Sequence, residues 1–387
     1  MTAPKPLDLS LLRRRARLLW IACALGGLAC ERASSEGQGA DAAQDADPAH
    51  DAADVAHDAE LPDAPSDADM GPDADAAPDD ADAGPDEPAC GGSSTEAWAV
   101  CGGLYEPPKN AGATQDEGLV EASGVTASLR DPGVLWMHND SGDEARLFAV
   151  GLQGEALGRV RLRGVEAEDF EDINAAPCPD GSGPCLWVAD IGDNLLERDR
   201  VLVHVFPEPE VPAEGLAEER EVSVTWTFPA RYPGGAVDSE ALMVAPDGKR
   251  FYLFEKIDGP QARVFRHAGP FISGRAVELE EVAAFRSPGV AIPRGRMITG
   301  ADMHPSGRRF LVRVYTGSFE YRLCDGQEVE DLAEVEPVVA APGPLSEEQG
   351  EAVGYNAQGD GFWTISEDRQ GEPGQVLHRY PCAEAAP

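Results

Sequence analysis

The chain has 387 residues and a formal net charge of −39, long enough for one large domain or two small ones. Residues 1–30 carry +4 and residues 31–89 carry −18, so residues 90–387 keep −25. A folded part this acidic makes DNA, RNA and anionic lipid headgroups poor partners for its surface, and cations good ones.

Residues 1–30 read as an export signal. "RRRAR" is the basic segment, and the twelve-residue apolar run "LLWIACALGGLA" behind it is too short to span a bilayer. The run ends in "GLAC", which resembles a bacterial lipobox with Cys30 as the acylated residue. Gly27 and Leu28 depart from the usual pair, so an ordinary secretory signal cut nearby is the alternative. Either way the protein is exported, and a lipid on Cys30 places it on the outer membrane or cell surface. Residues 31–89 are dominated by Asp, Ala and Pro and hold no aromatic residue. Such a segment buries too little apolar surface to offset its ordering entropy, and its like charges extend it. It reads as a disordered acidic linker, with the folded domain at 90–387.

Cysteine usage fits an oxidising compartment. Beyond Cys23 and Cys30 there are Cys90, Cys101, Cys178, Cys185, Cys324 and Cys382, with no CxxC pair. The turn-rich "CPDGSGPC" suits a Cys178–Cys185 bridge; the other four allow three pairings.

From residue 121 the chain reads as short β-branched and aromatic runs bounded by Gly, Pro, Asp and Asn. An internal repeat runs through them. "EASGV" (121–125), "DFEDI" (169–173), "DSEAL" (238–242), "TGADM" (299–303) and "QGEAV" (349–353) share small or acidic residues followed by an apolar one. Each precedes a second strand: "VLWMHND", "LWVADIGD", "RFYLFEK", "FLVRVYTG" and "FWTISED". A third follows: "ARLFAVGL", "VLVHVFP", "ARVFRHA", "FEYRLC" and "QVLHRYP". The first four units add "ALGRVRL", "EVSVTWTF", "VELEEVAAF" and "EPVVAA". Four antiparallel strands repeated at this period predict an all-β fold, a β-propeller of five four-stranded blades, with six as the alternative. The fifth unit lacks a fourth strand, so an N-terminal strand from "EAWAV" (96–100) or "GLV" (118–120) is expected to close the ring.

First strands of propeller blades line the axis. The repeat therefore brings Glu121, Asp169, Glu171, Asp238, Glu240, Asp302 and Glu351 toward one channel, and second strands add Asp140, Asp143, Asp190, Asp193, Asn194, Lys256, Arg313 and Glu367. Asp140-Ser-Gly-Asp143 and Asp190-Ile-Gly-Asp193 look like the same acidic turn made twice. Converging carboxylates repel, and a hard cation with oxygen ligands relieves them. Calcium, which takes roughly 6–8 oxygens, is the expected cofactor. The candidate metal ligands are Glu121, Asp140, Asp169, Glu171, Asp190, Asp193, Asp238, Glu240, Asp302 and Glu351. Lys256, Arg313 and His138 are candidate substrate-binding residues. His204, like His138, lies on an expected strand, where a structural role is commoner than that of a base.

"EASGV", "EDFEDI", "DSEAL" and "QGEAV" resemble the inner-strand motifs of secreted phytase-like and SdiA-regulated bacterial propellers. The resemblance spans residues 119–370 and implies an exported propeller with calcium near the axis, with Glu121, Glu171, Glu240 and Glu351 as ion ligands. Those families usually have six blades. Two functions follow: a cell-surface binding or scaffolding module, or a calcium-dependent hydrolase, phytase-like or lactonase-like. In the lactonase-like case Asp169, Asp190 or Asp302 would be the base. No GxSxG, HExxH or phosphate-cradling glycine loop supports a nucleophilic enzyme. The expected protein is a monomer with a protein or small-molecule ligand and no nucleic acid.

Overall fold

Backbone pairing organises the short runs into five antiparallel sheets, and the computed structural model describes residues 105–342, 347, 349–367 and 371–383. The export signal, the acidic linker, Cys30, Cys90, Cys101 and the segment 96–100 lie outside the described residues. Blade one is Ala122–Ala127, Val134–Asn139, Arg146–Gly151 and Ala156–Arg163. Blade two is Phe170–Pro177, Pro184–Asp190, Val201–Pro207 and Trp226–Arg231. Blade three is Ser239–Val244, Phe251–Glu255, Ala262–His267 and Glu280–Phe285. Blade four is Ile298–Met303, Arg309–Val314, Gly317–Arg322 and Val338–Pro342. Blade five is Gln349–Tyr355, Gly361–Glu367, Val376–Pro381 and, outermost, Lys109–Ala113. The five first strands touch their neighbours in a closed ring. The fold is a five-bladed β-propeller.

Closure uses Lys109–Ala113, antiparallel to Val376–Arg379, rather than 118–120. Two of the expected fourth strands are each two strands. The stretch around "EVSVTWTF" divides: Arg220–Ser223 runs parallel on the edge of blade one, and Trp226–Arg231 completes blade two. Within "VELEEVAAF", Val277–Glu278 runs parallel on the edge of blade two and Glu280–Phe285 completes blade three. Each segment thus laces a blade to the one before it and covers an open edge, which would otherwise invite pairing with other chains.

Apolar layers between blades form the core. Trp187, Phe228, Phe251 and Leu253 pack between blades two and three, and Tyr252, Phe310, Val312 and Tyr321 between three and four. The Cys178–Cys185 disulfide ties the first two strands of blade two. Cys324 and Cys382 are also disulfide-bonded.

The seam that closes the ring is polar. Glu320 of blade four, fully buried, accepts hydrogen bonds from Tyr105 and from Tyr355 (2.9 Å), pairs with Arg322 at 2.8 Å and faces Arg309 at 3.6 Å. Arg309 donates to His304 Nε2 at 2.6 Å. One carboxylate therefore joins the segment before the closing strand to blades four and five. Replacing Glu320 by Leu removes the carboxylate that faces the fully buried Arg309 guanidinium, and the expected loss is about 3–5 kcal/mol in chemical denaturation. A loss below about 1 kcal/mol would mean that the seam is held by apolar contacts alone.

Candidate functional site

A repeated irregularity builds the axial mouth. In every blade the first strand carries a β-bulge against the second, at the same place: between Ala122 and Gly124, Phe170 and Asp172, Ser239 and Ala241, Ile298 and Gly300, and Gly350 and Ala352. The extra residues are Ser123, Glu171, Glu240, Thr299 and Glu351. A bulge leaves one residue unpaired and re-aims its side chain. Three of the five are glutamates. Two residues earlier stand Glu121, Asp169, Asp238, Met297 and Gln349. The second strands deliver Asp140, Ile191, Lys256, Tyr315 and Glu367 to the same end. Among the described residues, eight carboxylates thus come from blades one, two, three and five, with one lysine. Blade four gives none: its three positions are Met297, Thr299 and Tyr315.

The bulges also correct two alignments. "TGADM" is two residues out of step, so Asp302 lies deeper in the channel than the motif glutamates, where it accepts the Tyr355 N–H at 2.7 Å. The two acidic turns are one residue out of step. Asp190 pairs across from Phe170 as Asn139 does from Ala122, so Asp140 corresponds to Ile191. Asn139 accepts the N–H groups of Val120 (2.9 Å) and Glu121 (3.1 Å); Asp190 accepts those of Glu168 (3.1 Å) and Asp169 (3.0 Å). Each side chain pins the start of its own first strand.

Three carboxylates converge most closely. Oxygens of Asp140, Asp169 and Glu171 lie within 4.8 Å of one another. Gly192 lies against them: a Cβ there would sit 2.0 Å from Glu171 Oε1 and 2.5 Å from Asp169 Oδ2. Its role is close approach, whereas Gly142 in the other turn has φ 95° and makes a bend. Gly192 is held by Arg198, which donates to its carbonyl at 2.8 Å and pairs with Asp190 at 2.9 Å. Asp193 accepts the N–H groups of Glu197 (2.8 Å) and Arg198 (2.9 Å). Asp143 accepts from Asn139 at 2.8 Å and Arg146 at 3.1 Å. These three acids hold the loops that shape the cluster.

Around the cluster, Lys256 pairs with Glu240 and lies 5.7 Å from the Tyr315 ring centre. Asp238 accepts the Asp193 N–H at 2.9 Å. Gln349 donates to Glu351 at 2.6 Å and to Glu367. Burial and then the neighbouring Asp140 and Asp169 push the Glu171 carboxyl well above the usual range, against the pull of Lys256. Burial likewise raises Asp238, and raises Glu351 to about 7. Glu367 rises to about 9, by burial and then by Glu351, Asp140 and Glu121.

Of the candidate substrate-binding residues, Lys256 alone lies in the mouth. Arg313 is buried beneath Gly350 and paired with Glu347, which also accepts from Thr364 at 2.7 Å and lies 3.2 Å from His378. Burial opposes ionisation of Glu347, but Arg313, His378 and Thr364 outweigh it, to a pKa of about 2. His138 is fully buried, donates from Nδ1 to the Asn139 carbonyl at 2.9 Å, and is held neutral chiefly by burial. His204 is lowered to about 4, first by burial. Sequence reasoning missed Tyr315 and Glu347; the place of Tyr315 is visible only once "FLVRVYTG" is set in bulge register beside "RFYLFEK".

Below the mouth the channel is filled. Asp172 accepts the N–H groups of Leu242 (2.9 Å) and Ala301 (3.3 Å), and Asn174 that of Val244 (2.9 Å). Burial raises Asp302 to about 7, against its backbone hydrogen bonds. In the unfolded chain an Asp titrates near ~3.9, so the native state holds this proton more tightly. Its stabilisation is complete below the unfolded value and is lost as pH rises through about 7. Asp302→Asn keeps the acceptor and removes the titration. Wild type is expected to lose up to about 1.4 kcal/mol more per pH unit than the variant between pH ~4 and ~7, read by denaturant titration. Identical slopes would assign the pH dependence to other groups.

No family model and no curated protein matches the sequence. Similar solved structures include a chain of a mitotic checkpoint complex, 10% identical over 66% of this chain, with a TM-score of 0.32. This chain spans 62% of its length, less than two thirds. U3-55K is 10% identical over 67% of each chain, with a TM-score of 0.33. Hydrazine synthase of Kuenenia stuttgartiensis is 11% identical over 70% of this chain and 99% of that one, with a TM-score of 0.36. Scores this low carry no argument about function; the β-propeller assignment stands on the chain's own five sheets.

Proposed function

We propose that this chain is an envelope-anchored propeller that binds calcium at its axial mouth and works as a binding module. The observation that carries the cation reading is the meeting of Asp140, Asp169 and Glu171 under a glycine with no room for a side chain. An all-carboxylate donor set suits a hard cation, and calcium accepts such oxygens in flexible geometry. Asp140, Asp169 and Glu171 would hold it, and it would supply positive charge where burial makes ionisation costly. The inner-strand likeness to phytase-like propellers agrees with this. The state of the basic residues supports a binding module over a hydrolase. Lys256 is paired with Glu240, Arg313 with Glu347, and His138 is buried and neutral, so the candidate groups for anchoring an anionic substrate are committed elsewhere.

A cation that binds only the native state stabilises it by about 2.7 kcal/mol at one hundred times Kd. The full chain should therefore melt several degrees higher in millimolar calcium than in chelator. Asp140→Asn with Glu171→Gln should abolish the difference, and Gly192→Ala should reduce it by displacing the two carboxylates. A calcium-independent melting temperature in wild type would reject the reading. The anchor has its own test: a fatty-acid analogue should label wild type and leave Cys30→Ala unlabelled, and equal labelling of both would reject it.

A further inference from the structure

Among the described residues the outer edges of four blades are covered, and three of the covers follow one rule. On blade one, Arg220–Ser223 runs parallel to Val160–Arg163. On blade two, Val277–Glu278 runs parallel to Ala230–Arg231. On blade three, the 3-10 turn Val329–Glu334 packs against Glu280–Phe285. Each of these segments comes just before the fourth strand of the next blade in the chain. Each also adds a valine to the apolar layer between the two blades it joins: Val222, Val277 and Val329. Blade five is covered differently, by the blade one hairpin at Gln153 and Gly154. Gln115 N–H reaches the Gly154 carbonyl at 2.8 Å, and the Gln153 carbonyl lies too close to Gly112 for a Cβ there.

Blade four is the exception. Val338–Pro342 is the last strand of its sheet, and no strand pairs with its outer edge among the described residues. Val339 on it is 60% exposed. The N–H and C=O groups of such an edge are a template for another strand. By the rule of blades one to three, the cover should come just before the fourth strand of blade five. That strand is Lys109–Ala113, so the cover falls to residues before 105, outside the described ones. At Tyr105 the chain already stands beside blade four. The Tyr105 hydroxyl donates to Glu320, and its side chain packs on the layer that holds Ala340 and Ala341. The stretch before it reads "EAWAVCGGL" (96–104), in which Trp98 and Val100 alternate with alanines as in a strand. Pro337 and Pro342 bound the open edge and offer it no N–H. That suits a short segment, like the four and two residues on blades one and two, better than a full strand from a second copy. The C-terminal "EAAP" (384–387) has no bulky apolar side chain to add.

We propose that residues 96–103 add a short parallel strand to the outer edge of blade four, with Val100 entering the layer between blades four and five. Val100 then takes the place that Val222, Val277 and Val329 hold in the other layers, and every blade edge is closed within one chain. The assignment is independent of the cation reading.

The test places p-benzoyl-phenylalanine at the exposed position of Val339 in the full chain. Irradiation and peptide mapping should give a link within one chain to a peptide holding residues 96–103. A second measurement uses Val100→Pro, which removes an N–H from the added strand. Amide hydrogen exchange over Val338–Ala341 should become at least ~10-fold faster, a loss of about 1.4 kcal/mol of protection. Exchange over Glu280–Phe285 of blade three should stay the same, which separates a lost cover from general unfolding. If the variant loosens blade three as well, the photochemical link decides alone. Four outcomes overturn the proposal: a link between two chains, which would assign the edge to self-association; a link to residues 384–387; no link; or unchanged exchange over Val338–Ala341 in the variant.

Discussion

Everything in this molecule depends on how the free edges of five inner strands are satisfied. Each first strand pairs with its second strand on one side, and on the other its N–H and C=O groups face the axis. A buried backbone group without a partner costs about as much as a lost hydrogen bond. The inner strands do not pair with one another as a sheet, so side chains supply the partners. Ser123 donates to the Glu171 carbonyl and Thr299 to that of Gly350, both at 2.9 Å. Thr126 accepts the Ala175 N–H at 3.0 Å. Asp172, Asn174 and Asp302 do the same deeper in the channel. Where two strands approach too closely for a side chain, glycine appears: a Cβ on Gly354 would lie 2.4 Å from the Val125 carbonyl oxygen.

The bulges follow from the same constraint. Pairing five twisted strands around a narrow axis requires each to bend as it enters the ring, and one unpaired residue provides the bend. Its side chain is then available for another purpose. In blades one and four it is Ser123 or Thr299 and bonds the neighbouring strand. In blades two, three and five it is a glutamate, and those three glutamates meet the acids of the flanking positions. Structural hydrogen bonding and charge concentration are alternative uses of one position in the repeat.

The blade architecture was legible in the sequence because strand length, turn residues and a recurring inner motif all have local signatures. The closing strand was harder, since "KNAGA" (109–113) has little β-branched character and is a strand only because Val376–Arg379 needs a partner. The splitting of "EVSVTWTF" was not legible, because the two halves join different blades and nothing local marks the change. Site residues were recognised by type and misplaced by register. Asp190 and Asp193 match Asp140 and Asp143 in letters, yet strand pairing makes Asn139 the counterpart of Asp190. Register is a property of pairing between strands, so a motif alignment made on one strand cannot reveal it.

Charge at the mouth is the point where folding and function oppose each other. Glu351 and Glu367 share Gln349 as a donor, while Lys256 answers Glu240. Burial raises several of these carboxyls because ionising all of them in a recess is unfavourable. Four uncharged apolar contacts in their place would be more stable, since buried charge is weak evidence for stability. The surrounding structure instead holds the charge in place: Arg198 clamps the Gly192 turn, Asn139 and Asp190 pin the strand starts, and Glu347 draws Arg313 away from the mouth. Blade four, with Met297, Thr299 and Tyr315, leaves one open side that is not acidic. The asymmetry of a single blade thus breaks the fivefold repeat of acids around the axis.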